Sequence, residues 1–425
     1  MKKINLYLLA SLALSLTILS CSSDHEDDGN TMKKVVYMIA PQKKVQLTEA
    51  QRVFVNDNNA FAFDFLKMAN ETEQKSKSFI YSPLSVTYVL GMVNDAATGK
   101  TEQELEQTLG FHEGGIQAVN EYCKTLIENL PKADEKVTLD IANAIFLNKN
   151  YQLKEQFQKD MQEYYKAKAE ALDFSSPKTL DHINGWCKDK TRGMIPSILE
   201  NVDPSVVSYL LNAIYFKADW AKKFDPKNTK TETFITEAGK QIKMPMMQMD
   251  ADIAYLRNDT YSVISIPYGN GLWNMTIWLP EEGKTIDDVI ALMAEDKTAF
   301  TNVEFTRSYL VNLKLPRFET ATDTENMPGG LTGLLKNMGI NQAFNPGCKE
   351  IINMCSSPVY IDMMRQKAKI NVNEEGTETS VVTVAAMAGA AFPELSTFHA
   401  NRPFIYAICE RSSGVILSVG KFTGE

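Results

Sequence analysis

The chain has 425 residues, 44% hydrophobic and 23% charged, proportions that allow one large domain with a sizeable buried core. A formal net charge of −9 and a pI near 5.3 argue against a nucleic-acid partner, because displacing counterions needs clustered Lys and Arg, and Lys43-Lys44 is only an isolated pair in a polar stretch. Four histidines in the whole chain leave few candidates for a general base.

The first zone reads Lys2-Lys3, an apolar run from Leu6 to Leu19, then Ser20-Cys21, which is the layout of an export signal. The run is shorter than the roughly twenty residues of a spanning helix. Ile18-Leu19-Ser20-Cys21 resembles the lipobox of bacterial lipoproteins, in which the Cys is lipidated and becomes the new N-terminus; a plain secretory signal that happens to contain Cys21 is the alternative. Residues 1–21 are therefore expected to be removed up to a lipidated Cys21. Residues 22–44 are expected to form a flexible polar tether, since Asp24, Glu26, Asp27 and Asp28 give it nothing to bury. The protein would then sit on the cell envelope, at the outer membrane or cell surface, touching the membrane only through its lipid.

From Val45 to Glu425 no linker, repeat or composition break interrupts the chain, so 45–425 reads as one domain. Phe61, Phe65 and Met68 fall at helical spacing, and Thr101-Glu102-Gln103-Glu104 reads as a capping box opening a second helix. The run Gln117–Leu130 is helix-like and carries a single basic residue, Lys124, which leaves no evident glycosaminoglycan site. Strand-like runs follow at Thr138–Leu147, Val206–Phe216, Tyr261–Pro267, Trp273–Pro280 and Tyr309–Pro316. Strands and helices do not alternate strictly, which points to an α+β fold and not to a doubly wound sheet. Beyond Cys21, the cysteines Cys123, Cys187, Cys348, Cys355 and Cys409 are odd in number and widely spaced, so they read as buried or half-buried free thiols.

No complete catalytic motif emerges. There is no GxSxG elbow and no HExxH, and Ser396 and Ser412-Ser413 merely flank His399 in sequence. Gly99-Lys100-Thr101 resembles the tail of a phosphate loop, yet Asn94 stands where its first glycine belongs. Gly329-Gly330-Leu331-Thr332-Gly333 reads as a turn before a helix. The chain reads as a non-enzyme without metal or other cofactor.

The segment after Val372 is unusual. From Thr379 through Phe392 it is uncharged and rich in β-branched and small residues, the profile of a strand; exposed, it would be a ready template for strand pairing. It is either a strand already buried or an exposed loop that enters a sheet on demand. Glu374-Glu375-Gly376-Thr377-Glu378 resembles the hinge of the reactive-centre loop of serpins, and Phe398-His399-Ala400-Asn401-Arg402-Pro403-Phe404-Ile405-Tyr406 the signature after that loop. Phe79-Ile80-Tyr81-Ser82-Pro83-Leu84-Ser85, Asn212–Trp220, Leu315-Pro316-Arg317-Phe318 and Gly414–Lys421 resemble further serpin elements, in family order, over the whole domain.

The resemblance implies a serpin fold: one large α+β domain with three β-sheets, about nine helices and an exposed reactive-centre loop at about 374–400. It implies a suicide-substrate inhibitor of serine proteases, a monomer, whose cut loop inserts into the main sheet; a non-inhibitory serpin that binds or carries a ligand is the alternative. The implied hinge is Glu374, Glu375, Gly376, Thr377, Glu378 and Thr379. Glu374 is expected to pair with Arg317 near Trp220 at the top of the sheet, the breach. Ser82, Ser85 and Asn212 correspond to the hydrogen-bonded shutter under the sheet centre, with Gln366 where the family commonly has His. Counting seventeen residues from Glu374 puts the reactive bond between Ala390 and Ala391, which suits an elastase-like protease. Met387, Ala388 and Phe392 are alternative reactive residues, and chymotrypsin-like or subtilisin-like proteases are alternative targets. With Glu378 outward, Thr377, Thr379, Val381, Thr383, Ala385 and Met387 are expected to face the core after insertion.

Overall fold

The computed structural model describes residues 45–425 apart from 113, 302, 304–307 and 378–395. Cys21 therefore lies outside the described residues, as do Glu378, Thr379, Met387, Ala388, Ala390, Ala391 and Phe392. Nine α-helices are described: α1 (Glu49–Thr72), α2 (Pro83–Ala96), α3 (Gly99–Leu109), α4 (Gly115–Asn129), α5 (Glu155–Tyr165), α6 (Lys178–Lys190), α7 (Ile286–Glu295), α8 (Thr298–Thr301) and α9 (Gly330–Asn337). The strands are β1 (Phe79–Tyr81), β2 (Val137–Asn148), β3 (Lys168–Leu172), β4 (Ser208–Asp219), β5 (Lys230–Ile235), β6 (Gln241–Arg257), β7 (Tyr261–Tyr268) and β8 (Trp273–Pro280). They continue with β9 (Ser308–Pro316), β10 (Phe318–Asp323), β11 (Met363–Val372), β12 (Gly376–Thr377), β13 (Ser396–His399), β14 (Phe404–Glu410) and β15 (Ile416–Phe422).

The strands make a six-stranded sheet in the order β10-β11-β12-β4-β2-β3 and a nine-stranded sheet in the order β1-β15-β14-β8-β7-β6-β9-β13, with β5 on β6. Two of the three expected sheets are thus joined, because the 17-residue β6 pairs with β5 and β9 along most of its length and with β7 at its end. The fold is α+β in one domain.

Local chemistry sets the elements that matter for the site. Thr48 opens α1 with a reciprocal capping box to Gln51, and Phe54, Phe61 and Phe65 are buried along it. In α2, Pro83 occupies the first turn, where a missing N–H costs nothing, and Ser82 caps it by accepting from the Ser85 N–H. Every residue of α2 but Asp95 is buried, so this helix lies within the core and carries Ser85, beside its cap Ser82, under the six-stranded sheet. β4 is buried on both faces, one by the main core and the other by Ile183 and Cys187 of α6 together with Ile195 and Ile198. That double burial is why Val206–Phe216 reads as a continuous apolar run.

The expected box at Thr101–Glu104 does not form. Gly99, at a φ of 63°, starts the helix three residues earlier than that box implies, and Thr98 caps it without a side-chain bond. Thr101 instead gives its N–H and hydroxyl to Oε2 of Glu350, at 2.7 and 2.8 Å, while Glu104 accepts the N–H groups of Asn341 and Gln342. The helix is also the third of the fold, since α2 precedes it.

Candidate functional site: a cleft in the six-stranded sheet

β4 and β11 touch only at one end. Met363–Gln366 pair in parallel with Tyr209–Asn212, and beyond that point the short β12 stands between the two strands, Gly376 opposite Asp219, Thr377 opposite Ala218 and Val372. Between these contacts the facing edges of Ala213–Lys217 and Lys367–Asn371 share no ladder pairs among the described residues. They bound a narrow cleft lined by Ile214, Phe216, Ala368, Ile370 and Thr377, with Asn212 and Gln366 at its closed end. Unpaired strand edges are strong acceptors of another strand.

At the closed end, Ser82, Ser85 and Gln366 come together in full burial. The Ser82 N–H donates to Oε1 of Gln366 (2.9 Å), Nε2 of Gln366 donates back to the Ser82 carbonyl (3.0 Å), and the Ser85 hydroxyl donates to that of Ser82 (2.8 Å). The Ser82 hydroxyl donates onward to the Leu417 carbonyl (2.6 Å). Asn212 stands opposite Gln366 in the ladder, but its side chain donates to Asn143 of β2 (2.7 Å). Sequence reasoning missed Asn143, whose signal was a polar residue inside the apolar run Thr138–Leu147. Gln366 uses both its side-chain oxygen and its nitrogen in these bonds and does not titrate near neutral pH, so protonation at this position is not expected to switch stability. Gln366→Leu is expected to leave the buried Ser82 N–H without a partner and lower native stability by about 2 kcal/mol in denaturant titration.

The open end is held by the segment 220–229. Trp220 N–H donates to the Glu375 carbonyl (2.8 Å), its indole N–H to the Asn373 carbonyl (2.9 Å), and Phe224 N–H to the Glu374 carbonyl (3.0 Å). The Trp220 ring stacks on Tyr268 at 4.4 Å, and the Tyr268 hydroxyl meets that of Thr377 at 2.9 Å. Glu374 is buried; its carboxylate accepts from Arg317 Nε (3.1 Å), Arg317 Nη2 (2.5 Å) and Thr229 Oγ1 (2.6 Å). Tyr268 and Thr229 were not singled out from sequence. Glu375 faces Lys223.

Burial works against the charge of Glu374, but the bonds from Arg317 and Thr229 outweigh it and hold its carboxyl below the ordinary value of 4.5. A depressed carboxyl stabilises the fold above its unfolded pKa, and the contribution is lost as pH falls through the folded value. Glu374→Gln is therefore expected to destabilise the protein at pH 7 and to cost progressively less as pH falls below about 4.5. Thermal unfolding of both proteins across pH 3–7 checks this.

Two of the three serine hydroxyls near His399 in sequence are committed elsewhere. Ser412 and Ser413 donate to the Glu410 carboxylate, and Nε2 of His399 lies 2.7 Å from Oδ1 of Asn312. The five described cysteines are free, Cys409 half-buried and the others buried.

The family model for Serpin (serine protease inhibitor) matches residues 56–424. Over 381 residues the chain is 29% identical to Serpin B6 of Macaca fascicularis, a match covering 87% of this chain and 99% of that protein. Its structure is similar to the native state of tengpin, a thermophilic serpin, with a TM-score of 0.78 and 26% identity over 90% of this chain and 96% of that one. Human thyroxine-binding globulin superposes with a TM-score of 0.79 at 24% identity over 88% of this chain and 100% of that one, a likeness of fold.

Proposed function

Because this chain belongs to the serpin family, we propose that it is an irreversible suicide-substrate inhibitor of serine endopeptidases that traps its target by loop insertion. The target's serine oxygen takes the acyl group of Ala390, the amine of Ala391 leaves, and the cut loop runs down the cleft as a new central strand, dragging the acylated protease with it. The cleft carries this reading: its first rung, Gly376–Thr377, is already in place above two strand edges that have no ladder partners there among the described residues.

Extending that ladder one residue at a time from the Thr377–Ala218 pair sets Glu378 against Lys217, Thr379 against Phe216, Val381 against Ile214 and Thr383 against Asn212. Opposite residues share a face, so Thr379 and Val381 meet the main core and the charge of Glu378 meets an opposite charge. Residues 378–382 fill the open gap; from Thr383 onward, insertion has to part β11 from β4 at Gln366. The small residues around Ala390 fit an elastase-like pocket. We further propose that the domain hangs from the cell envelope by a lipidated Cys21 through the tether 22–44.

Mixing residues 45–425 with a pancreatic-type elastase and with a chymotrypsin tests the function. Inhibition gives a detergent-stable complex on a gel and a released C-terminal fragment that begins at Ala391. Clean cleavage without a complex overturns the inhibitor reading and leaves a binding or carrier serpin.

A further inference from the structure

We propose that Lys223 is a positioning residue for loop insertion, holding the first rung of the incoming strand in register. The proposal rests on the inhibitor reading above and concerns residues to which that reading assigns no partner. Lys223 Nζ lies 2.6 Å from Oε2 of Glu375 and 3.0 Å from Oδ2 of Asp219. Asp219 is the last residue of β4 and stands opposite Gly376. Glu375 belongs to the tight turn between β11 and β12, closed by the Asn373 and Gly376 main chains bonding each other and by the Glu375 N–H on Oδ1 of Asn373. One ammonium therefore ties the strand that receives the loop to the turn that delivers it. Its neighbour Lys222 points away, to the Asp250 carbonyl at 2.7 Å.

The location gives this bridge its leverage. β12 is two residues long, and a strand that short has little ladder of its own to resist slipping. A slip of one residue would turn Thr379, Val381 and Thr383 from the core to the opposite face. The side chains of Lys223, Glu375 and Asp219 are 19%, 22% and 33% exposed, sheltered enough to resist screening better than a surface pair. Burial works against the charge of Lys223, yet Glu375 and Asp219 outweigh it and raise its pKa above 10.5, so the bridge stays charged at neutral pH. In the race between insertion and release of the acyl-enzyme by water, a nucleus already in register favours insertion.

The test compares the wild-type domain with Lys223→Met, which keeps the aliphatic stem, and Lys223→Arg, which keeps the charge. Two readouts are taken: the ratio of trapped to cleaved product with elastase, and amide hydrogen exchange at Gly376 and Thr377 in uncut protein. Lys223→Met is expected to lower the ratio about 3- to 10-fold at an unchanged cleavage rate and to speed the exchange, and Lys223→Arg to restore both. Unchanged exchange in Lys223→Met overturns the positioning role, as does a Lys223→Arg variant whose exchange and ratio stay at the Lys223→Met level. Faster exchange combined with a wild type that traps no protease overturns the inhibitor reading and supports the restraint on the hinge.

Discussion

Thr383→Arg is expected to turn a trap into a substrate: the protease cuts the loop at the normal rate and then leaves. Carrying the ladder on from the Thr377–Ala218 pair brings residue 383 opposite Asn212, beside Gln366, where β4 and β11 first pair and the sheet has to be parted. The groups waiting there are already engaged, Gln366 with Ser82 and Asn212 with Asn143, and all four are buried. No carboxylate is among them, so a guanidinium would arrive without a counter-charge, at a cost of several kcal/mol. If about 3 kcal/mol of that falls on the insertion step, insertion slows roughly 100-fold, enough for water to win the acyl-enzyme. Thr383→Ser, of similar size and uncharged, is expected to keep trapping. Gel quantification of complex against cleaved product separates the two. Trapping by Thr383→Arg equal to wild type would show either that the loop does not enter in this register or that it does not enter at all.

Gly376→Ala is expected to have the second large effect, and on the uncut protein. Gly376 has a φ of 147°, which side chains rarely adopt. A Cβ there would come within 2.2 Å of the Ala218 carbonyl oxygen, 2.6 Å of Asp219 Cα and 2.7 Å of Trp220 N, all main-chain atoms that cannot swing aside. The strain of the backbone conformation alone is about 1–3 kcal/mol, and the contact adds to it. The expected result is loss of the Gly376–Asp219 and Thr377–Ala218 pairs, a lower unfolding midpoint, and a shift of the elastase reaction toward cleavage. A variant that unfolds and traps like wild type would mean that β12 is not the nucleus of insertion.

Much of the scaffold was readable because each element carries a local signal. Tyr261–Pro267, Trp273–Pro280 and Tyr309–Pro316 are β-branched and aromatic runs, and the structure makes them β7, β8 and β9 within a residue at either end. The run Val206–Phe216 becomes β4 with a start two residues later and an end three residues later, since its ends are decided by pairing with β2 and β12 and not by its own composition. The misread helix start at Thr101 failed for a similar reason. A Ser/Thr-x-x-Glu pattern specifies a cap only if both side chains are free to fold back, and here Glu350 and the Asn341 turn, about 240 residues away, claim them.

At the site, a single sequence could mark residues by resemblance but could not distribute their bonds. Glu374 and Arg317 meet where the motifs imply, yet Thr229, Tyr268, Lys223 and Asn143 join them only because distant strands are brought into register. By itself the sequence determined the fold class and the glycine at the base of the segment after Val372, since these follow from side-chain shape, charge and backbone freedom within a few residues. Tertiary structure alone decided that β4 and β11 part at Gln366, that two residues already occupy the gap, and that a lysine closes over them. Those outcomes depend on which edges remain unpaired once every strand has chosen its neighbour, and that choice is made by the whole sheet.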